Sequence, residues 1–277
     1  MADMTIEELE AKLDAKTPEA LALWKSLARD AQIYSTPLFS LSKASEGDVL
    51  KLAGSGTFLA KAGAHYILTA GHVWHQALKS ADYVGVTLRE IHDHTCLLEV
   101  AHILTYEPDR PGIWNEWGPD LILLRIPDVR VGEIKAFKAF YEMEAGLRSL
   151  VTLDRNETHL LVGTPKVLGS YTQNHASVQL FGMWVGNPKI YTHNQWDYFD
   201  VKAALHPPSD ANTFGGVSGG GLWRVQIYSP PGNGRIESAV VLEGVAFYEL
   251  GTSKGEGVVR CHGLQSIQKV LDVLPNA

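Results

Sequence analysis

Three short motifs that follow one another in a fixed order constrain this sequence more than any other feature. They are LTAGH at residues 68–72, PDLILL at residues 119–124 and GVSGGG at residues 216–221. They supply one histidine, one aspartate and one serine, which are His72, Asp120 and Ser218. Each motif alone is common, but the three together, in this order and in strand-like surroundings, indicate one kind of catalytic site.

Nucleophilic catalysis by a serine requires this combination of side chains. A serine hydroxyl is a weak nucleophile at neutral pH, so it needs a base within hydrogen-bond reach and a third group that orients the base. Ser218 is the candidate nucleophile, His72 the general base and acid, and Asp120 the group that holds the imidazole tautomer. The glycines around Ser218 allow a tight turn in which backbone N–H groups converge on a developing oxyanion.

Together the motifs resemble those of the trypsin-like (chymotrypsin-fold) serine proteases, and the resemblance covers roughly residue 33 to the C-terminus. It implies an all-β fold of two six-stranded antiparallel β-barrels with a polypeptide substrate in the cleft between them. It also implies that the N–H groups of Gly216 and Ser218 form the oxyanion hole. Peptide bonds would be cut through an acyl-enzyme, and no metal or organic cofactor would take part.

Hydrophobic periodicity predicts helices at the two ends of this β-rich chain. Apolar residues recur at helical spacing within residues 1–32 and again after Gly263, whereas short strand-like runs and glycine-bearing turns begin at Ile33. The helical extension either packs on the barrel or docks a regulatory protein partner. We therefore expect three parts: the extension at 1–32, a first barrel at 33–145 that carries His72 and Asp120, and a second barrel at 146–277 that carries Ser218 and ends in a helix.

Alignment outward from Ser218, by the same resemblance, implies a substrate pocket. Trypsin-type enzymes have an aspartate where this chain has Asn212, so strict selection of Lys or Arg at that position is not expected. Phe247 stands where the family usually has a serine that hydrogen-bonds the triad aspartate. Glu249 replaces a common glycine and would either narrow the pocket toward small side chains or attract a basic one. The expected pocket residues are Asn212, Thr213, Phe247, Tyr248, Glu249 and Gly257.

The residue before the nucleophile also departs from the pattern of secreted family members. In those proteins it is an aspartate that pairs with an N-terminal ammonium released by zymogen cleavage, whereas here it is Val217, which cannot ionise. A buried ammonium without its carboxylate is costly. We therefore expect Val217 to pack as an ordinary apolar residue and the chain to need no N-terminal processing.

The composition indicates a cytoplasmic protein. The chain has only two cysteines, Cys96 and Cys261, whereas secreted family members usually carry several disulfides, so a reducing compartment with two free thiols is expected. Residues 1–15 lack the basic start and continuous apolar stretch of a signal peptide. The formal net charge of −7 argues against a nucleic-acid partner, and no segment is long and apolar enough to span a membrane.

A different enzyme class also matches part of the sequence. The glycines around Ser218 fit the nucleophile elbow of the α/β-hydrolases, for which Glu243 and His262 would be the formal partners. That elbow joins a buried parallel strand to a helix, and no strand–helix–strand rhythm surrounds Ser218. The protease interpretation is therefore favoured.

Two interpretations without proteolysis complete the alternatives. His92, His94 and Cys96 alternate as they would on one face of a strand and could bind zinc, but no fourth ligand or standard spacing accompanies them, and an exposed polar strand is favoured. The chain could also be a catalytically silent, protease-like binding module. Silent relatives usually lose a triad member, and this chain retains all three, which favours activity.

Overall fold

The computed structural model describes residues 18–45, 47–89, 94–108, 117–143, 156–171, 176–177, 180–204, 213–228, 237–254 and 256–275. These residues form a mostly β fold that contains two large antiparallel sheets. The first sheet takes its strands from the part of the chain before residue 143, and the second takes its strands from residue 156 onward.

The first sheet has eight strands and carries the first two motifs. Its neighbours run in the order β5-β4-β1-β2-β3-β7-β6, and β8 adds a short parallel pairing to β2. The strands are β1 (Ser35–Ser42), β2 (Val49–Lys61), β3 (Ala64–Thr69), β4 (Tyr83–Arg89), β5 (His94–Glu99), β6 (Leu104–Tyr106), β7 (Ile122–Arg125) and β8 (Tyr141–Glu142).

The second sheet has seven strands and carries the serine motif. Its order is β12-β9-β15-β16-β17-β14-β13, and β10 and β11 form a separate pair. The strands are β9 (Asn156–Gly163), β10 (Ser170–Tyr171), β11 (Ala176–Ser177), β12 (Phe181–Val185), β13 (Lys189–His193), β14 (Trp196–Ala204), β15 (Gly221–Tyr228), β16 (Glu237–Ser253) and β17 (Glu256–Gly263).

Helical segments flank and interrupt the sheets. A single helical turn, Gly71–Val73, continues as a π-helical segment, Trp74–Leu78. The longer helices are α1 (Pro18–Gln32), α2 (Asp128–Lys135) and α3 (Leu264–Asp272). In the described part of the chain, no helix has the length and apolar character needed to cross a membrane.

This architecture is compatible with a chymotrypsin-like β fold, but it differs in detail from the expected pair of six-stranded barrels. One sheet forms a half-barrel and the other is not closed. The first sheet contains eight strands, one of which is the short β8 paired with β2, and the second sheet contains seven. Closure of both barrels and the domain boundaries stay predictions.

Three groups of buried side chains account for the packing. One lies inside the first sheet and includes Phe58, Ile67 and Val86. Another lies inside the second sheet and includes Leu161, Val201 and Leu222. The third lies between the two sheets, where Leu68 and Trp223 are buried with residues of α1 and α3. The two sheets therefore share one continuous apolar seam.

The helix α1 packs through one face on the apolar cluster between the two sheets. Leu27, Ala28 and Ala31 are buried at the spacing of successive helical turns, and Trp24 lies against Trp184 of β12 with ring centroids 4.0 Å apart. The apolar face of α1 is therefore covered by this chain. Residues 1–17 of the predicted helical extension lie outside the described residues, so a regulatory partner at this extension stays a prediction.

The helix α3 is fixed by a carboxylate from β14. Asp197 Oδ1 accepts hydrogen bonds from the Ser266 amide (2.7 Å) and hydroxyl (2.6 Å), and Oδ2 accepts one from the Gln265 amide (3.1 Å). These amides belong to the first turn of α3, whose N–H groups have no acceptors within the helix. A negative charge near a helix N-terminus is also stabilising. Asp197 thereby anchors the helix that covers the end of the seam.

Both cysteines are buried, unpaired and in different sheets. Cys96 lies on β5 and Cys261 on β17. Burial, followed by the nearby Glu133 carboxylate, raises the pKa of the Cys96 thiol to about 12, and burial likewise raises the pKa of Cys261. Neither thiol is therefore a ready nucleophile in the folded protein.

We expect thiol titration to report this arrangement. Native protein should react slowly with a thiol reagent, because both groups are buried and protonated. Protein denatured without reductant should release two thiols per chain. Fewer than two thiols after denaturation would show a disulfide and contradict the reducing compartment expected from the sequence.

Candidate active site

The first two predicted catalytic residues lie at one end of the first sheet. Thr69, the last residue of β3, pairs with Ile122, the first residue of β7. Because these strands are antiparallel, the segment that follows β3 and the segment that precedes β7 meet at the same edge. This pairing places His72, in the helical turn after β3, beside Asp120.

Two hydrogen bonds join His72 to Asp120. The His72 backbone N–H donates to Asp120 Oδ1 over 2.8 Å, and the ring Nδ1 lies 2.6 Å from Oδ2. An ionised carboxylate can only accept, so Nδ1 carries the ring proton, and Nε2 of the neutral ring is the acceptor. The Asp120 side chain is 2% exposed and the His72 side chain 25% exposed. The aspartate is thus enclosed, whereas the imidazole reaches solvent.

A second histidine, His262 of β17, supports Asp120 from the other side. The Asp120 backbone N–H donates to His262 Nε2 over 3.1 Å. Burial lowers the pKa of His262 to about 3, so the ring is neutral, and its proton lies on Nδ1 because Nε2 accepts a hydrogen bond. Among the described residues this Nδ1 has no partner. The ring stacks on Phe247, with centroids 4.1 Å apart.

Sequence reasoning missed this role of His262 and considered the residue only as a formal partner in an α/β-hydrolase. Phe247 stands where trypsin-like proteases usually have a serine, and the structure shows its ring stacked on the neutral His262, which contacts Asp120. The sequence signal available for this role was the presence of a histidine in the strand directly before α3. Its contact with Asp120 spans 142 residues of chain, which local patterns do not reveal.

The loop that carries Ser218 is a compact turn ahead of β15. The Val217 N–H donates to the Phe214 carbonyl over 3.0 Å, and the Gly220 N–H donates to the Val217 carbonyl over 2.8 Å. Gly219 has φ of +89°, which favours glycine, and a Cβ there would lie 1.9 Å from the Ser55 carbonyl oxygen. We call residues 213–220 the nucleophile loop.

Val217 packs as an ordinary apolar residue. It is buried inside the second sheet with Phe214 and Leu222, as expected from its side chain. The position therefore contributes to the core of the second sheet and carries no charge.

Within residues 214–220 of this loop, the backbone N–H groups of Gly216 and Ser218 have no protein acceptor among the described residues. The Gly215 carbonyl accepts the Lys166 N–H over 2.7 Å. In a planar trans peptide the carbonyl and the following N–H point in opposite directions, so the Gly216 N–H points away from Lys166. The Val217 carbonyl, bonded to Gly220, orients the Ser218 N–H in the same way.

His72, Asp120 and Ser218 line a single cleft of about 490 Å³. Among the described residues, no hydrogen bond joins the Ser218 hydroxyl to His72. Such bonds are often long without substrate and tighten only in the reacting complex. The structure therefore brings the three predicted catalytic side chains to one cleft, with the histidine and the aspartate already bonded.

The predicted pocket residues are partly in this cleft. Thr213, Phe247, Tyr248 and Glu249 line it, whereas Gly257 does not. A Cβ on Gly257 would lie 3.1 Å from the Phe214 ring, which packs beside it. Asn212 lies outside the described residues.

Glu249 extends from β16 to the nucleophile loop. Its Oε2 accepts the Phe214 N–H over 2.6 Å and the Thr213 hydroxyl over 3.0 Å. Its carboxylate is therefore held on the opposite wall of the cleft from its own strand. It brings negative charge and bulk into the cleft where the family commonly has glycine.

The proposed zinc ligands do not form a metal-binding cluster in the described part of the chain. His92 lies outside the described residues. Cys96 donates a hydrogen bond to Glu133 over 3.4 Å, and His94 lies 3.9 Å from the same carboxylate. Among the described residues, no group of three or more histidine, cysteine, aspartate or glutamate side chains could hold a metal ion.

No protein-family model matches this chain, and no curated protein matches it significantly.

The buried His262 should make the folded state sensitive to acid. Its pKa in the folded protein is about 3, below the value of about 6.5 expected for an unfolded chain. Between these values the unfolded state binds the additional proton, so stability falls as the pH falls from about 6.5 to about 3. Protonation of His262 should contribute about 1.4 kcal/mol per pH unit to the change in the free energy of unfolding with pH. This contribution should disappear in His262→Gln, because glutamine does not titrate.

Urea unfolding at pH 7, 6, 5 and 4 gives the free energy of unfolding of wild type and variant, and the difference between the two at each pH measures this effect. The exposed His102, which pairs with Glu99 at the surface, supplies the control variant His102→Gln. Parallel pH profiles for wild type and His262→Gln would show that His262 is not held neutral.

Proposed function

We propose that this chain is a trypsin-like serine endopeptidase that hydrolyses polypeptides through an acyl-enzyme. One observation carries the proposal. A buried aspartate, Asp120, is hydrogen-bonded to Nδ1 of His72, and the imidazole opens onto the cleft that also holds Ser218. Orientation of a histidine by a buried carboxylate beside a serine is the arrangement that serine acyl transfer uses.

The proposed reaction assigns each group one task. Ser218 Oγ attacks the peptide carbonyl carbon while His72 Nε2 takes the hydroxyl proton, and Asp120 stabilises the imidazolium. The N–H groups of Gly216 and Ser218 bind the oxyanion of the tetrahedral intermediate. The intermediate collapses, the C–N bond breaks, and His72 protonates the leaving amine. Water then attacks the ester by the same route and releases Ser218.

The substrate would lie between the two sheets. His72 and Asp120 come from the first sheet, and Ser218 comes from the second. We propose that the sheets are the halves of the two-barrel protease fold and that the edge of β16 beside the cleft binds the substrate backbone. Among the described residues, β16 pairs with β15 only as far as Val245, so Tyr248 and Glu249 pair with β17 on one side and line the cleft on the other.

The second candidate is a silent, protease-like binding module. The stacking of Phe247 on His262, in place of a serine beside Asp120, is the observation that favours it. The intact bonds between His72 and Asp120 argue for activity.

A mutant cycle separates the two candidates. We expect Ser218→Ala and His72→Ala each to lower peptide hydrolysis by at least about 1,000-fold, with the double mutant no worse than either single variant, because the groups act as one unit. A fluorophosphonate should label wild type and not Ser218→Ala. Multiplicative losses in the cycle would contradict the triad, and an unlabelled, inactive wild type would favour the silent module.

The Glu249 side chain should set the width of the pocket. Its carboxylate is bonded to the far wall of the cleft, so removal of the side chain in Glu249→Gly should admit larger substrate side chains. A cleavage profile on a peptide library measures this change. Glu249→Gln, which keeps the length of the side chain and loses its charge, is the matched control. It distinguishes an effect of pocket width from electrostatic attraction of basic substrate side chains. An unchanged profile in Glu249→Gly would place Glu249 outside the pocket.

A further inference from the structure

A fully buried serine of the first sheet, Ser55 of β2, contacts the nucleophile loop of the second sheet. Its backbone N–H donates to the Ser218 carbonyl over 2.8 Å. Its hydroxyl donates to the Gly216 carbonyl over 2.7 Å. Ser55 thus binds the peptide on each side of Val217 and Ser218, although it belongs to the other sheet.

The Ser55 hydroxyl is also an acceptor. The Thr164 N–H donates to Ser55 Oγ over 2.9 Å. One hydroxyl therefore ties the segment after β9 to the nucleophile loop. Two residues further along this segment, the Lys166 N–H donates to the Gly215 carbonyl over 2.7 Å.

Ser55 acts on the Gly216 and Ser218 N–H groups through neighbouring peptides, because the first belongs to peptide 215–216 and the second to peptide 217–218, whose carbonyl accepts the Gly220 N–H. Peptides 216–217 and 218–219 are held through their carbonyls by Ser55, and peptide 215–216 is held through its carbonyl by Lys166. Reversal of peptide 215–216 would turn the Gly215 carbonyl toward the cleft and the Gly216 N–H away from it. That reversal requires loss of the Lys166 bond, which the Ser55–Thr164 contact keeps in place.

Packing leaves the loop little room to rearrange. Gly216 has φ of +97°, and a Cβ on this residue would lie 2.4 Å from the Thr164 carbonyl oxygen. Ser55 itself is anchored, because its carbonyl accepts the Thr69 hydroxyl over 2.7 Å. Thr69 ends β3, three residues before His72, so the same contacts link the nucleophile loop to the strand that carries the base.

We propose that Ser55 is a positioning residue that holds the nucleophile loop with the Gly216 and Ser218 N–H groups directed to the oxyanion, an inference that rests on the proposed function. In this arrangement the first sheet orders the loop of the second through neutral hydrogen bonds. No charged group at Val217 is involved, and no new chain terminus is needed.

The test compares two buried serines in the same sheet. Ser55→Ala removes the hydroxyl that bridges Gly216 and Thr164. The control, Ser40→Ala, removes a buried hydroxyl that bonds only a carbonyl of its neighbouring strand, that of Lys51. The readouts are kcat and KM for a peptide substrate, the rate of fluorophosphonate labelling, and the thermal midpoint.

The expected result is a selective loss in the chemical step. Loss of an oxyanion donor typically lowers kcat by about 100- to 1,000-fold, so displaced donors in Ser55→Ala should lower kcat by at least about 10-fold, with KM changed less than about threefold. Labelling should slow in parallel. Ser40→Ala should retain wild-type rates.

The remaining outcomes are equally decisive. A folded Ser55→Ala protein with the kcat and labelling rate of Ser40→Ala would overturn the role of Ser55 and leave the proposed function intact. An unlabelled, inactive wild type would overturn both. If Ser55→Ala does not fold, Ser55→Cys, whose thiol is a weaker donor and acceptor, carries the test. Its kcat should fall at unchanged KM, and a wild-type kcat would overturn the proposal.

Discussion

The docking of one sheet against the other is the interaction on which the rest of the structure depends. Trp223 of β15 is buried between Tyr34 and Tyr141, with ring centroids 5.4 and 5.3 Å away, and neither tyrosine belongs to the second sheet. Aromatic contacts of this kind remove large apolar areas from water and contribute beyond area burial alone. The cleft lies at the edge of the same seam, so its geometry follows from how the sheets meet.

Asp120 brings a buried carboxylate to the cleft and has good hydrogen-bond partners there. Asp120 is nearly inaccessible, and a buried carboxylate is tolerated only where donors surround it. The amide and the ring of His72 supply two donors, and His262 remains neutral on the far side. Among the described residues, His72 is the one ring that donates an N–H to the Asp120 carboxylate, and the proposed chemistry requires this pairing.

Much of the candidate site could be predicted because its residues are marked by local chemistry. Glycines around Ser218 signal a tight turn, and a histidine and an aspartate beside strand-like runs signal the ends of neighbouring strands. The structure joins His72 to Asp120 and places Ser218 in their cleft. The β-rich character and the burial of Val217 also followed from periodicity and side-chain type.

The contacts that escaped prediction are long-range and lack a local signature. Ser55 lies 161 residues from Gly216, and an isolated serine in a strand carries no pattern that reveals a partner. His262 was considered only as a formal partner of Ser218 in the disfavoured α/β-hydrolase interpretation, and its contact with Asp120 was not predicted. The span of Glu249 across the cleft depends on the distance between β16 and the nucleophile loop, which only the folded chain defines.

Because Ser55 ties the serine loop to the opposite sheet, neither half of the chain contains a complete site. A fragment with the second sheet alone would keep Ser218 but lose the Ser55 hydroxyl, which donates a hydrogen bond to the Gly216 carbonyl. A fragment with the first sheet alone would keep the bonded histidine and aspartate without a nucleophile. Two separately produced halves would therefore complete the site only when they associate, and under the proposed function peptide hydrolysis would report the amount of associated pairs, much as a split reporter does.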